Sequence, residues 1–328
     1  MMKRTVIPTT ADVGPNRLDP RVKEQLKTKP WNGDFYTPYH PSPETIDLFS
    51  ARAAAGYGTD LSHDIQSESF NIPAPGHYIP ARKYFSAHPS SNLILFLHGG
   101  GFTVGSVEHK DSQCRYLAQM SKSTVISLDY RLAPETMYPG AVEDVLAGLD
   151  YCAHLPHDHL IIGGDSAGAC LSANGIFAAK VKVDYAFFYY GAFDLESAEH
   201  MEEPWSYDRY CCVEEEKDLI YNRLNRFRRL SEEMKVLYLP EGISASSPDV
   251  SPQYKTDFTC FPPTLFLIAE YDYYRFCNES FAAKLEAAGV PAEILFYEGV
   301  DHGFFDRLGA LPQAKHSIEA IASRIKML

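Results

Sequence analysis

The sequence lacks several features that would have assigned it to other classes at once. Beside the motifs discussed below, its longest purely apolar run is LILFL at 93–97, far too short to cross a bilayer. The start, MMKRTVIPTTADVGP, is basic but has no apolar core before its prolines, so a signal peptide is not expected. Cationic surplus is absent too: 30 Lys and Arg face 43 Asp and Glu, a formal net charge of −13. Nucleic-acid binders rest on clustered Lys and Arg, so that class is set aside, and no membrane partner is expected. The seven cysteines are odd in number, share no repeated spacing and include one adjacent pair, Cys211 and Cys212. That suits a reducing cytoplasm better than a disulfide framework. No internal repeat or low-complexity tract is visible. What remains, 45% hydrophobic and 22% charged over 328 residues, is an ordinary globular chain with room for one large α/β domain or two modest ones.

The first sixty residues are rich in Pro, polar groups and aromatics, and KPWNGDFYTPYHPSP (29–43) cannot hold a regular element for long. PETIDLFSARAAAG (43–56) reads as a helix, with Pro43 and Glu44 in its first turn and Gly56 at its stop. Two extended segments, Ile65–Ile72 and Tyr78–Phe85, joined by PAPG, read as a hairpin at a sheet edge. From residue 93 onward, apolar runs alternate with helix-period segments. The runs are 92–98, 123–130, 159–164, 183–191, 263–272 and 292–299, apolar without alternation, as strands buried on both faces should be. Between them, Val142, Val145, Leu146, Leu149 and Cys152 share one helical stripe, with similar stripes in 109–121, 275–288 and 312–328. This alternation predicts a mostly parallel, doubly wound α/β sheet. Residues 195–245 break the pattern with EEEKDLIYNRLNRFRRLSEEMKVL. They are expected as a helical cap over the sheet's carboxyl edge, joined by residues 1–60, with the core formed by 61–194 and 246–328.

HLIIGGDSAGACL (159–171) poses the first chemical question, because Ser166 could be a nucleophile or a plain helix cap. A strand, a turn carrying Gly-x-Ser-x-Gly and a helix are what a sharp nucleophile turn requires. The N–H of Ala167, opening the helix, could then donate to a developing oxyanion. LHGGGF (97–102) adds a second such element. Three glycines after a buried strand have little packing value, so backbone N–H groups approaching a ligand are the natural use. Gly100 and Gly101 with Ala167 are the candidate oxyanion hole. A phosphate cradle is disfavoured because no Gly-Lys-Ser/Thr follows. His98 is expected to order the loop, and Cys170 to pack.

Taken in order, HGGGF, DYRLAPE (129–135) and GDSAG resemble the hormone-sensitive lipase family of α/β-hydrolases, in its bacterial acetyl-esterase and carboxylesterase branch. The resemblance covers roughly residues 60–328, the cap least well, and departs at Ala169, where many relatives carry a further glycine. It implies the α/β-hydrolase fold and hydrolysis of short-chain esters, acetyl to hexanoyl. DYRLAPE is expected to shape the floor of the site, with Arg131 paired to an acidic neighbour.

Twelve histidines compete for the role of base, and position selects among them. YEGVDHGFF (297–305) sets His302 in the loop after the last strand, on the same edge as Ser166, and is similar to the family's GxxHGF pattern. The cluster HLPHDH (154–159) has no nearby Cys and spans a helix-to-strand connection, so no metal is expected there. For the acid, Asp301 is adjacent to His302, but neighbouring side chains of an extended loop point apart. Asp272 ends the preceding strand, and the order Ser166, Asp272, His302 is that of α/β-hydrolases. The family often continues Asp-Pro-Leu where this chain has DYYR, and Glu270 is the reserve.

The expectation is therefore a serine carboxylesterase acting through an acyl-enzyme on a small-molecule ester, without metal or organic cofactor. Phe102, Trp205, Phe304 and Phe305 are candidates for the pocket wall and equally for the core. An amidase, formamidase or carbamate hydrolase would use the same triad. A ligand receptor on this fold would be signalled by loss of the serine or histidine, and both are present. A lipase would need an apolar lid, against which the charged 214–235 stretch speaks. The oligomeric state stays open, a homo-oligomer included.

Overall fold

A computed structural model describes residues 2–9, 13–28, 39–53 and 56–328. Most of the proline-rich 29–43 stretch lies outside them. Strand β1 (Lys3–Ile7), helix α1 (Pro20–Lys27) and the short helix α2 (Leu48–Ala53) come first. The hairpin β2 (Gln66–Ala74) and β3 (His77–Phe85) follows, then β4 (Asn92–Leu97), α3 (Asp111–Ser121), β5 (Thr124–Leu128) and α4 (Gly140–Ala153). Next are β6 (His159–Asp165), α5 (Ala167–Ala178), β7 (Tyr185–Tyr189) and a long helix, α6 (Glu214–Tyr238). The chain ends with β8 (Thr264–Tyr271), α7 (Arg275–Ala287), β9 (Ala292–Asp301) and α8 (Pro312–Ile325).

Among the described residues nine strands form one sheet, in the order β1-β9-β8-β7-β6-β4-β5-β3-β2. Pairing is parallel from β1 through β5 and antiparallel for β3 on β5 and β2 on β3. The apolar runs become the central strands because both faces of the sheet are covered. One core contains Val145 and Leu149 of α4, Leu171 of α5 and Phe281 of α7. The opposite core contains Leu117 of α3, Ile318 of α8 and Val22 of α1. No described helix is long and apolar enough to cross a membrane.

α6 runs from one core to the other. Ile220, Tyr221 and Leu224 in its first half belong to the α3/α8 side, and Met234 and Tyr238 near its end belong to the α4/α5 side. Glu214, Glu215 and Glu216 occupy its first turn and Lys235 its last, both matched to the helix dipole. Within 195–245, expected as a cap, the regular structure is one 25-residue helix and a 3-10 turn at Tyr207–Arg209.

The N-terminal sixty residues depart from the expectation of a pure cap. Lys3–Ile7 extends the sheet beside β9. The Asp19 N–H donates to Gly299 O at 2.8 Å and Leu18 N–H to Glu216 Oε2 at 2.7 Å, so α1 is wedged between β9 and α6. The helix expected over 43–56 is also interrupted. A 3-10 turn at Pro43–Thr45 stops at extended Ile46, and Asp47 then caps α2 by accepting from Ser50 N–H at 3.0 Å. The later part reaches the far half of α6 and the glycine loop: Tyr39 donates to Glu233, and Arg52 donates to the carbonyls of Thr103 and Ala133.

Candidate active site

Four strand ends converge at the carboxyl edge. Between β6 and α5 the chain reverses so sharply that Ser166 takes φ 54° and ψ −117°. β4 lies so close against the turn that only glycine fits at 168: a Cβ there would stand 2.6 Å from His98 O and still nearer Leu97 O. Ser166 occupies the N-cap position of α5, yet its side chain makes no capping bond. Its Oγ instead meets His302 Nε2 at 2.9 Å. On the far side of the ring, His302 Nδ1 stands 2.9 Å from Asp272 Oδ2. Asp272 is fully buried; its other oxygen accepts from Tyr274 N–H at 2.8 Å, and the Tyr210 hydroxyl donates to its carbonyl at 2.7 Å.

The other carboxylates point elsewhere. Asp301 turns from His302 to two guanidinium groups, Arg223 Nε at 2.5 Å and Arg307 Nη1 at 2.6 Å. Burial opposes its charge, but Arg307 and Arg223 overcome that and hold it down at about 2. Glu270 accepts from Gly299 N–H at 2.7 Å, and burial pushes its carboxyl up to about 7.

After β4 the chain turns through Gly100 (φ 129°), Gly101 (φ 59°) and Phe102 (φ 63°). A Cβ on Gly100 would collide with the backbone of Val104. Among the described residues nothing accepts a bond from the N–H of Gly100, Gly101 or Ala167. His98 is buried, stacked on Tyr130 at 4.3 Å, and its Nδ1 donates to Gly99 O at 2.9 Å. Burial pushes its pKa down to about 3, so the ring is neutral and structural. The Tyr130 hydroxyl donates to His98 O at 2.7 Å, and Arg131 pairs with Asp144 and Glu143. DYRLAPE therefore forms the support beneath the loop. Burial pushes the Cys170 thiol up, away from thiolate chemistry.

Of the four aromatics weighed for a pocket wall, three are core. Phe102 is 1% exposed and stacks on Tyr238 at 4.1 Å. Phe304 and Phe305 are 0% and 2% exposed, and Phe305 lies 4.2 Å from Tyr189. The 3-10 turn Phe304–Arg307 folds both rings under the sheet edge, where consecutive residues of a strand would have diverged. Trp205 is half-buried, donates to the Tyr210 hydroxyl and packs on Tyr273 at 5.0 Å.

Three neighbours of the site were not anticipated. The Phe227 ring of α6 lies 4.2 Å from the His302 ring. Met234 of α6 sits over Gly101, where a Cβ would strike its sulfur. Buried Lys110 bridges Asp165 Oδ2, at 2.9 Å, to Asp306, while Asp165 Oδ1 accepts from Gly99 N–H at 2.8 Å. Burial works against the Lys110 charge, but the two carboxylates more than offset it and raise its pKa. One cation thus ties together the serine turn, the glycine loop and the histidine loop.

A family model described as the alpha/beta hydrolase fold matches residues 94–306, more than half of the chain. A carboxylic ester hydrolase, LipN, from Mycobacterium tuberculosis is 30% identical over 248 residues, 72% of this chain and 63% of that protein. The match thus spans just under two thirds of that relative's length. An arylesterase from Saccharolobus solfataricus is 27% identical over 255 residues, 73% of this chain and 77% of its own. A solved esterase from Pyrobaculum calidifontis superposes with a TM-score of 0.75 at 28% identity, covering 94% of this chain and 98% of that one.

Proposed function

The chain belongs to the α/β-hydrolase-fold family, and from that premise we propose that it hydrolyses carboxylic esters through Ser166, His302 and Asp272. The observation that carries this reading is the Ser166 hydroxyl, which forgoes a capping bond and meets His302 Nε2 at 2.9 Å. The names of the relatives, carboxylic ester hydrolase and arylesterase, support the same reaction class.

In the proposed mechanism His302 takes the Ser166 proton as Oγ attacks the ester carbonyl carbon and the C=O electron pair moves onto oxygen. Asp272 holds the ring with its proton on Nδ1 and stabilises the imidazolium. The N–H groups of Gly100, Gly101 and Ala167 receive the oxyanion; loss of one such donor typically costs about 3 kcal/mol of transition-state stabilisation. Collapse breaks the bond to the alcohol oxygen, which leaves with the proton from His302. Water, deprotonated by His302, then attacks the acyl carbon; collapse breaks the bond to Ser166 Oγ, which takes the proton back from His302 as the acid leaves. The acyl group is proposed to be short, acetyl-type, a reading supported by Met234 over Gly101 and by the Phe102–Tyr238 stack beside the loop. A reducing cytoplasm is the proposed location, supported by the free state of all seven cysteines.

The test is hydrolysis of p-nitrophenyl acetate by wild type and Ser166→Ala, with a loss of about 10⁶-fold in kcat expected. Retained turnover removes Ser166 from the reaction. A nitrophenyl series from acetate to decanoate, run beside an anilide of acetic acid, reads chain preference and separates ester from amide cleavage.

A further inference from the structure

Asp301 and Arg223 are left over once the proposed triad is assigned, and they form the one charged link from α6 to the histidine loop itself among the described residues. Arg223 Nε donates to Asp301 Oδ2 at 2.5 Å, and its Nη2 donates to the carbonyl of His302 at 2.8 Å. The two acceptors bracket the His302 Cα, one on the residue before it and one on its own carbonyl. One planar guanidinium therefore holds the carboxylate of the residue before the base and the carbonyl of the base itself, a use of its forked donors.

The same helix face supplies a second constraint. One turn beyond Arg223, the Phe227 ring packs on the His302 ring at 4.2 Å, and the Arg223 guanidinium covers Phe227 at 4.5 Å. Tyr190 and Tyr274 also approach the imidazole, at 4.5 and 5.7 Å. Arg307 holds the second oxygen of Asp301. Asp301 has no exposure to water, so it cannot trade Arg223 for solvent.

We propose that Arg223 is a positioning residue for His302: the cap helix, through Arg223 and Phe227, sets the base in register with Ser166. The inference rests on the hydrolase reading for its kinetic consequence, but the geometry it concerns is that of the imidazole alone. Turnover then requires α6 to be seated, and displacing the helix slackens the base before it uncovers the site.

The experiment compares Arg223→Gln, Arg223→Lys and the exposed neighbour Arg226→Gln with wild type. The readouts are kcat and KM for p-nitrophenyl acetate, the thermal midpoint, and the proton NMR line of the Nδ1–H that His302 shares with Asp272. Arg223→Gln is expected to lower kcat by about 10²-fold with KM within about twofold, as misplacement of a reacting group by about 1 Å does. Arg223→Lys, keeping the charge but losing the fork, falls between it and wild type, and Arg226→Gln is unchanged. The shared-proton line broadens or moves in Arg223→Gln and stays in Arg226→Gln. A folded Arg223→Gln protein with wild-type kcat, or with its loss in KM alone, overturns the proposal. Should Arg223→Gln not fold, Arg223→Lys decides by the same split, and wild-type kcat there overturns it. If Ser166→Ala leaves ester turnover intact, the hydrolase reading fails, and the NMR line alone then decides the role of Arg223.

Discussion

The serine turn and the histidine loop carry out the same task, presenting one side chain at the carboxyl edge of one sheet, and they are held by opposite means. At the serine turn the restraint is the backbone. Gly164 and Gly168 let β4 approach so closely that its carbonyls fill the space of a Cβ, and Ser166 N–H donates to Tyr189 O at 2.9 Å. At the histidine loop the sheet ladder is broken: Ala269 pairs with Tyr297, but Tyr271 pairs with Asp301, so β9 carries extra residues between them. Side chains make good the loss. Glu270 receives Gly299 N–H, Arg223 and Arg307 hold Asp301, and Lys110 holds Asp306. Lys110 reaches both regions through Asp165 and Asp306, so the contrast lies in the remaining restraints. The steric contact at Gly164 and Gly168 has no proton to lose, whereas Asp301 and Glu270, in and beside the histidine loop, answer to pH, and Asp301 also to α6.

The largest effect separates Asp272, at the end of β8, from Asp301 beside His302, and it is that of Asp272→Asn. It should lower kcat by about 10⁴-fold, because the amide cannot hold the imidazole in the tautomer that accepts from Ser166. If Asp301→Asn lowered kcat as far, Asp272 would have no distinct role. Next in size is Gly168→Ala at the serine turn. A methyl 2.6 Å from His98 O, with Leu97 O nearer still, has no flexible neighbour to displace. A loss of about 4 kcal/mol in urea unfolding is expected, at the high end for a single substitution. A loss under about 1 kcal/mol would show that the turn relaxes and that the steric account is wrong. Asp301→Asn comes third, with about 3 kcal/mol of stability lost as Arg223 and Arg307 are left facing each other without their shared anion. That loss should shrink as pH falls from about 4 toward 2, where wild-type Asp301 itself takes up a proton. An equal loss at all pH values would remove charge from the account.

This division also governs what was legible in the sequence. Gly164, Ser166 and Gly168 lie within five residues, and the run HGGGF is contiguous, so local steric logic reaches both. Asp272 and His302 are chosen by position, each at the end of an apolar strand, and they lie 2.9 Å apart in the fold. Arg223 is 78 residues from Asp301, in a helix whose many charges look alike in a linear reading. Nothing at Arg223 or Lys110 distinguishes them until the sheet brings their partners near, and Glu270, weighed only as a reserve acid, proves to hold Gly299 N–H instead. The same holds for the first strand: Lys3-Arg4-Thr5-Val6-Ile7 is half polar because it forms a sheet edge, and edge strands carry little apolar signal. The paired rings of Phe304 and Phe305 were unreadable for another reason, since their common burial depends on a 3-10 turn and not on sequence spacing.

Glu270 offers the smallest and cleanest test of whether the histidine loop is the pH-sensitive half. Burial raises its carboxyl to about 7 in the folded chain, while an unfolded glutamate titrates near its ordinary value of about 4.3. Between those values the folded state keeps a proton that the unfolded state has released. Stability from this group is therefore complete below about pH 4 and is lost as pH rises through about 7. Above that the fold carries a buried carboxylate whose only hydrogen bond among the described residues is to Gly299 N–H. Glu270→Gln keeps a carbonyl oxygen for that N–H and cannot ionise. It should match wild type near pH 4 and exceed its stability by a few kcal/mol near pH 8.5, as read by urea unfolding at both pH values. No such pH-dependent gain is expected from Gly168→Ala, where the restraint has no proton to lose. Equal shifts for Glu270→Gln at both pH values would mean that the break in the β8–β9 ladder is held by packing, as the serine turn is.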